Sequence, residues 1–409
     1  MNILHTADWH LGRTLYGQRR DDEFSAFLDW LLDTIVEHHI DVLLIAGDVF
    51  DTTTPSNRAQ AQYYDFLHRA AASCCQHIVI TGGNHDSPTF LDAPQALLKS
   101  LNVYVTGQAT DDPADEVITL HDANGEPVLI VCAVPYLRDR DIRTANAGES
   151  TADKAENIIN GIREHYAAVS AIAEEARKSL DADIPVIAMG HLFTAGGQTT
   201  DDDGVRELYI GTLGHVSGCI FPSQLDYVAL GHLHVPQIVG GNPHIRYSGS
   251  PIAMGFGEAK QQKSLCLLHT QGRKIEHSLI PVPCFQSLAS IKGDWPAITT
   301  QLHTLIAADS NAWLEIIYNG DKIASDLRQR LDDLSANSKL RILRIKNTRI
   351  NQAALSQQHS QETLADLDVY DVFERRLAAS APLSDDEQNA LRDTYQEALT
   401  SFYEQDTAE

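Results

Sequence analysis

Val42-Leu43-Leu44-Ile45-Ala46-Gly47-Asp48-Val49-Phe50-Asp51 reads as a buried strand that halts at a glycine and delivers a carboxylate into a loop. Branched residues in unbroken succession suit a strand covered on both faces. The same figure recurs along the chain. Ile3-Leu4 leads to Asp8-Trp9-His10, and Ile78-Val79-Ile80 to Gly83-Asn84-His85-Asp86. Val186-Ile187-Ala188 leads to Gly190-His191, and Tyr227-Val228-Ala229-Leu230 to Gly231-His232-Leu233-His234. Helical spacing lies between these runs, as at Phe24, Phe27, Leu28, Leu31, Leu32 and Ile35, and a second helix is expected over much of 155–180. Strands alternating with helices predict an α/β layered fold.

In an open α/β sheet, ligands bind beyond the carboxyl ends of the strands, where side chains from separate strands converge. Five strand ends here carry Asp8, His10, Asp48, Asn84, His191, His232 and His234. Carboxylate, amide and imidazole together suit first-row metals such as manganese, iron or zinc, whereas an all-oxygen set would favour magnesium or calcium. Gly47, Gly83, Gly190 and Gly231 precede four of the five clusters, which predicts sharp turns and a close approach to a bound ion. A single histidine at a strand end is ordinarily structural, and a Gly-Asp or Gly-His pair alone says little. The ordered set of Asp-x-His, Gly-Asp-x-x-Asp, Gly-Gly-Asn-His-Asp, Gly-His and Gly-His-x-His, each after an apolar run, is far more specific.

At these residues the first 280 or so positions resemble the calcineurin-like metallophosphoesterase family. That resemblance implies two packed sheets flanked by helices around two adjacent divalent ions, with Mn²⁺ expected. It implies that Asp8, His10, Asp48 and His234 hold one ion, and that Asp48 bridges to a second completed by Asn84, His191 and His232. His85 and Asp86 are the implied catalytic pair. His85 would face the phosphate as proton donor or charge stabiliser, and Asp86 would orient it. A histidine ordinarily titrates close to neutral pH, which suits proton donation.

The metal motifs alone do not separate phosphatases, cyclic-nucleotide phosphodiesterases and DNA nucleases. Longer stretches do: His5-Thr6-Ala7-Asp8-Trp9-His10-Leu11-Gly12, Gly47-Asp48-Val49-Phe50-Asp51 and Tyr247-Ser248-Gly249-Ser250-Pro251 resemble the DNA-nuclease branch of the family. Members of that branch pair with an SMC-type ATPase. The resemblance implies ATP-dependent double-strand exonuclease and single-strand or hairpin endonuclease action in DNA replication, recombination and repair. A homodimer of the nuclease chain is a further implied assembly. The competing expectation is a small-molecule or cyclic-nucleotide phosphodiesterase. Ala7 stands where serine is expected and Gly82-Gly83 where Ala-Gly is commoner; neither is an expected ligand.

Beyond Pro281, positions 285–349 read strand, helix, strand, helix, strand, enough for a small α+β capping domain over 281–350. A polar stretch at 351–361 reads as a linker within a tail, 351–409, that is otherwise helical and partner-binding. Asp368 can cap a helix carrying Val369, Val372, Phe373 and Leu377 on one face. Ser384 and Glu387 form a capping-box pattern ahead of Leu391, Tyr395, Ala398, Leu399 and Phe402. From Ser360 to Glu409 there are 13 acidic and 3 basic residues, a net −10, so this tail is expected to avoid DNA.

The whole chain of 409 residues carries a net charge of −25, which argues against DNA binding by the chain alone, because Lys and Arg supply most phosphate affinity. An ATPase partner could supply the missing positive surface. Arg13, Tyr16, Pro55, Ser56 and Arg58 follow expected ligands and are candidate DNA contacts. No apolar run approaches the roughly 18 residues of a membrane span, the N-terminus has no signal-peptide pattern, and the six cysteines include no Cys-x-x-Cys pair. These features predict a cytoplasmic protein.

Overall fold

The computed structural model describes residues 1–142, 151–180, 182–194, 220–320 and 327–347, with Phe373, Arg376, Leu377, Leu391, Arg392 and Tyr395. The chain forms two compact units, the larger built from Met1–Ser290, Leu302–Glu315 and Gln329–Arg344.

Two six-stranded sheets make the larger unit's frame. The first runs Lys274–Pro281, Ser264–Gln271, Asn2–Thr6, Val42–Ala46, His77–Thr81, Val103–Thr106 in spatial order. Its last four strands are parallel, with Leu4 beside Leu43 and Leu43 beside Ile78, and Ser264–Gln271 joins antiparallel to Asn2–Thr6. The second runs Gln237–Val239, Asn242–Tyr247, Tyr227–Gly231, Val186–His191, Pro127–Ala133, Val117–His121. Its four middle strands are parallel.

Alternation of side chains along each strand builds the layers. Leu4, Leu43, Ile45, Ile78 and Ile80 pack against the apolar faces of helices Asp21–Glu37 and Asn57–Ala71. Their neighbours Ile3, Val42, Leu44, Ala46 and Val79 face the second sheet, meeting Leu129, Val131, Ile187, Met189, Tyr227 and Ala229 in an apolar middle layer. Behind the second sheet, Ile158, Ile162, Tyr166, Val169 and Ala173 of helix Thr151–Leu180 cover Ile130, Cys132, Val186 and Val228. The result is helices, sheet, sheet, helix: the α/β layering that the sequence pattern predicts, in the two-sheet form that the family resemblance implies.

After Pro281 the order is strand Leu288–Gly293, helix Trp295–Ala307, strand Trp313–Tyr318, helix Leu327–Ser335 and strand Arg341–Asn347, with Trp313–Tyr318 central in the sheet. Most of the tail, including Asp368, Ser384 and Glu387, lies outside the described residues. Two of its expected apolar positions, Phe373 and Tyr395, stack ring on ring with centroids 3.9 Å apart. Among the described residues, no helix is long and apolar enough to cross a membrane.

A polar link crosses this apolar layer at His5. His5 is fully buried, with Nδ1 3.2 Å from the Tyr227 hydroxyl and Nε2 3.2 Å from the Leu230 carbonyl oxygen. Burial, aided by the charge of Arg246, drives its pKa down to about 3 despite the Leu230 hydrogen bond. The folded state therefore refuses a proton that the unfolded chain accepts below its ordinary value near 6.5. Stability from this group is complete above that value and falls as pH drops towards 3. At pH 5 the loss amounts to about 2 kcal/mol relative to pH 8. Denaturant titrations at the two pH values should show a smaller difference for His5→Asn than for the wild type; equal differences would remove His5 as the cause.

Candidate metal centre

Both sheets bring their carboxyl ends to one place. The first sheet supplies Asp8 and His10 after Asn2–Thr6, Asp48 after Val42–Ala46, and Asn84 after His77–Thr81; the second supplies His191, His232 and His234. The backbone leaving the first two strands stays in step: Asp8 N donates to Gly47 O at 3.0 Å, His10 N to Asp48 O at 3.0 Å, and Leu11 N to Val49 O at 2.9 Å. Across the gap between the sheets, His191 Nδ1 lies 3.0 Å from Ala46 O, and His232 N donates to Asp8 Oδ1 at 2.8 Å.

Four of the seven expected ligands occupy the left-handed region themselves: Asp8 at φ 55°, His10 at 48°, Asp48 at 51° and His232 at 100°. Such angles cost of order 1–3 kcal/mol per residue and concentrate at functional sites. The glycines act differently from expectation. Of the four, only Gly47 has positive φ, at 84°. A Cβ there would sit 2.2 Å from His191 Nδ1, and one on Gly231 would sit 1.9 Å from Ala46 O. Gly47 and Gly231 thus let the two sheets touch, while a Cβ on Gly83 would lie 2.1 Å from Asp48 Oδ1 and one on Gly190 2.1 Å from the Tyr166 hydroxyl.

Two buried clusters emerge, Asp8–His10–His234 and Asp48–His191–His232, each with ligand atoms within 4.8 Å of one another. The nitrogens pointing away from the centre meet acceptors. His10 Nδ1 faces the Asp51 carboxylate at 3.5 Å, His234 Nδ1 faces Glu258 at 3.7 Å, and His191 Nδ1 faces the Ala46 carbonyl. These partners favour a proton on Nδ1, leaving Nε2 of His10 and of His234 as lone pairs aimed inward, whereas His191 Nε2 lies 3.0 Å from Asn84 Oδ1 and 3.3 Å from Asp48 Oδ2. His10 Nε2 and His234 Nε2 then lie 3.1 Å apart, lone pair against lone pair. Asp8 Oδ2 and His232 Nε2 are buried without a hydrogen-bond partner. Lone pairs converging on unsatisfied buried oxygen and nitrogen fit divalent cations.

Burial above all lifts the Asp8 carboxyl to about 6, and burial drives His10 down to about 4. Burial works to raise Asp48, yet the imidazoles of His191 and His10 hold it well below the usual carboxylate range. Burial works to lower His191, but Asp48 and Asp8 outweigh it and raise the imidazole to about 9.

His10, Asp51 and His85 form a third close group. Its geometry favours positioning over cation binding. The Arg13 guanidinium already sits 3.2 Å from Asp51 Oδ1, and His85 Nδ1 is 2.8 Å from the Asp51 carbonyl oxygen. His85 is buried, its ring edge-on to His10 at 4.8 Å, and its backbone N–H donates to Asp48 Oδ1 at 2.9 Å. Asp51 thus braces both rings, a role the sequence pattern Gly-Asp-x-x-Asp contained but did not reveal.

Asp86 departs from expectation. Its carboxylate does not take the His85 ring; it accepts the backbone N–H groups of Val49 at 3.1 Å, Phe50 at 2.9 Å and Gly83 at 2.9 Å. Burial, with the charge of Asp48, lifts it to about 7 against those three donors. It ties together the two loops that present Asp48 and Asn84.

Of the candidate DNA contacts, Ser56 is committed to capping helix Asn57–Ala71 by accepting from Ala59 N. Arg58 pairs with Asp21 and Asp22. Tyr16 stacks on Phe256 and lies under Arg344. Sequence reasoning missed Tyr136, whose ring is 6.4 Å from that of His191, and Phe193, 6.0 Å from His232. It also missed Glu258 and Lys263, which lie far downstream of His234 in no recognisable motif. The pattern could have flagged only Asp51.

Replacing Asp86 with alanine leaves three buried N–H groups without their acceptor. We expect Asp86→Ala to lose about 3 kcal/mol or more of stability, measured by denaturant unfolding with chelator present. A loss below ~1 kcal/mol would mean those donors find other partners.

Residues 1–236 match the model of the calcineurin-like phosphoesterase family, and residues 284–381 match the "Type 5 capsule protein repressor C-terminal domain" family. The chain is 36% identical over 402 residues to the SbcD subunit of the SbcCD nuclease of Escherichia coli strain K12, covering 98% of both. The corresponding nuclease chain of Rhodobacter capsulatus is 33% identical, with 85% of this chain and 88% of that one covered. Its counterpart in Bacillus subtilis is 34% identical, with 66% of each covered.

Proposed function

The chain belongs to the calcineurin-like phosphoesterase family, and from that premise we propose that it is the metal-dependent nuclease subunit of a two-component complex that cuts DNA. The observation that carries this reading is the pair of buried donor clusters meeting at one centre, in a chain similar along nearly its whole length to nuclease subunits. We assign 1–280 to the nuclease domain, 281–350 to a capping domain and 351–409 to the partner-binding tail. The partner is an SbcC-like SMC-type ATPase, the substrates are DNA ends, hairpins and single strands, and the setting is cytoplasmic.

Asp8, His10, Asp48 and His234 would hold one divalent ion, and Asp48, Asn84, His191 and His232 the other. Bound there, such ions supply positive charge to the phosphate oxygens and lower the pKa of the attacking water. Imidazole-rich donors favour Mn²⁺ over Mg²⁺. The residues do the rest. Asp48 would belong to both sets, and Asp86 holds the loop from which it projects. His85 has Nδ1 committed to the Asp51 carbonyl, so Nε2 is the nitrogen left to give a proton to the leaving oxygen. Asp51 keeps that ring beside His10.

Hydrolysis of a chromogenic phosphodiester should stop in excess chelator and return better with Mn²⁺ than with Mg²⁺. His85→Ala should keep two ions per chain while turnover falls ~10²–10⁴-fold. Asp48→Asn should weaken both ions. Full activity in chelator would end the two-ion reading, and loss of both ions in His85→Ala would show that its role is structural.

For the tail, the expected apolar stripes on an acidic background suit docking on protein rather than on DNA. Truncation after Gln358 should leave hydrolysis of the small phosphodiester intact. It should abolish co-purification with the ATPase and ATP-dependent cutting of duplex DNA. Assembly of the truncated chain at full affinity would exclude the tail as the docking element.

A further inference from the structure

A lysine and a glutamate are buried together behind the Asp8–His10–His234 cluster, and neither belongs to it. Glu258 is inaccessible to solvent and Lys263 nearly so. Lys263 Nζ donates to Glu258 Oε2 at 2.5 Å, to the His234 carbonyl at 3.0 Å, to Ser250 Oγ at 3.1 Å and lies 3.3 Å from Gln261 Oε1. Glu258 Oε2 also accepts the Met254 N–H at 2.9 Å, while Oε1 faces His234 Nδ1 at 3.7 Å. As a source of stability such a pair is a poor choice. Desolvating two charges offsets most of their attraction, and apolar residues of equal size commonly do as well or better.

The contacts point to another use. One ion pair holds His234 at two points: Lys263 grips its backbone carbonyl and Glu258 faces the outer nitrogen of its ring. That carbonyl is further fixed by the Ser250 N–H at 3.1 Å. With ring and backbone both set, Nε2 points at His10 Nε2 and into the cluster. In the other cluster, the outer nitrogen of His191 rests on a neutral carbonyl at 3.0 Å, and the carboxylate nearest to it, Asp8 at 4.0 Å, is itself an expected ligand. A carboxylate behind an imidazole fixes its tautomer and makes it a more basic ligand. Lys263, bound to the carboxylate's other oxygen, fixes Glu258 in place behind the His234 ring.

We propose that Lys263 and Glu258 are positioning residues that act through His234 to set ion affinity at the Asp8–His10–His234 cluster, leaving the Asp48–His191–His232 cluster unaffected. This rests on the two-ion assignment given above.

Manganese titration of purified protein, read by calorimetry and by electron paramagnetic resonance, tests it. The wild type should take up two equivalents and show the signal of a spin-coupled pair. The double variant Glu258→Leu with Lys263→Met replaces the ion pair by apolar bulk. Its ion-free form should melt at or above the wild-type temperature. It should bind one equivalent unchanged and the other ~10–100-fold more weakly, with the six-line signal of isolated Mn²⁺. Should that variant not fold, Glu258→Gln keeps size and an acceptor but removes the charge, and the same one-site loss is expected. Two equivalents at wild-type affinity in whichever variant folds would overturn this inference alone. Fewer than two in the wild type would overturn the two-ion reading, and this inference with it.

Discussion

The approach of Gly231 to the carbonyl of Ala46 is the constraint on which the rest of the centre depends. At that point the two sheets are so close that a single methyl group would reach 1.9 Å from the oxygen. The same carbonyl receives His191 Nδ1, so one atom of the first sheet both limits and orients an expected ligand of the second. Gly47 and Ala7 belong to the same contact: a Cβ at Gly47 would strike His191, and one at Gly231 would lie 2.9 Å from the Ala7 methyl. Small residues at this seam let four donors from one sheet and three from the other reach a common centre. The apolar packing of Ile3, Leu44, Met189 and Ala229 behind them fixes the spacing.

Held this way, the loops tolerate backbone angles that a free peptide would avoid. Asp8, His10, Asp48 and His232 are all left-handed. Contacts that would be lost if the angles relaxed compensate for them. Asp8 and His10 donate their backbone N–H groups to Gly47 and Asp48, and the loop after Asp48 is anchored by the Asp86 carboxylate. The strain is therefore borne by rigid elements, and the donor atoms are aimed before any ion arrives. Preorganisation of this kind is what a catalytic centre needs, since reorganisation during the reaction would add to the barrier.

How much of this was legible in the sequence differs by type of interaction. Buried strands ending in Asp, Asn or His could be read because strand burial and strand ends leave a local pattern. The conversion from run to polar cluster at Ala46-Gly47-Asp48 is complete within a single short step of the chain. The same holds for the strand–helix alternation between Leu288 and Asn347. Asp86 was legible as a site residue but not in its role, because a carboxylate just after Asn84 and His85 can face either a neighbouring ring or the backbone of another loop. Only the packing of Val49 and Phe50 against it decides. Glu258 and Lys263 left no local trace. Their partner His234 is remote in sequence, and the short turn that bears Glu258 resembles any other surface loop until Met254 and Phe256 are seen to be buried. Tyr136 and Phe193 escaped for a related reason, since an aromatic beside a strand end is ordinary core by sequence.

The charge distribution bears on the function proposed. The chain has 31 basic against 56 acidic residues. Many of the basic residues described are matched to acids. Arg13 meets Asp51, Arg20 meets Glu23, Arg58 meets Asp22, Arg69 meets Asp29, and Lys339 meets Asp309. The exposed pairs of Arg58, Arg69 and Lys339 add little stability, but each cancels a charge that could otherwise attract phosphate. Affinity for DNA grows with the number of phosphates that Lys and Arg neutralise, and a surface arranged this way neutralises few. A DNA-cutting centre on such a surface therefore has chemistry without a grip. A net charge of −25 also repels a polyanion. On the function proposed, cutting is conditional on a partner that supplies the positive surface, and the acidity of this chain is then part of the control over its chemistry.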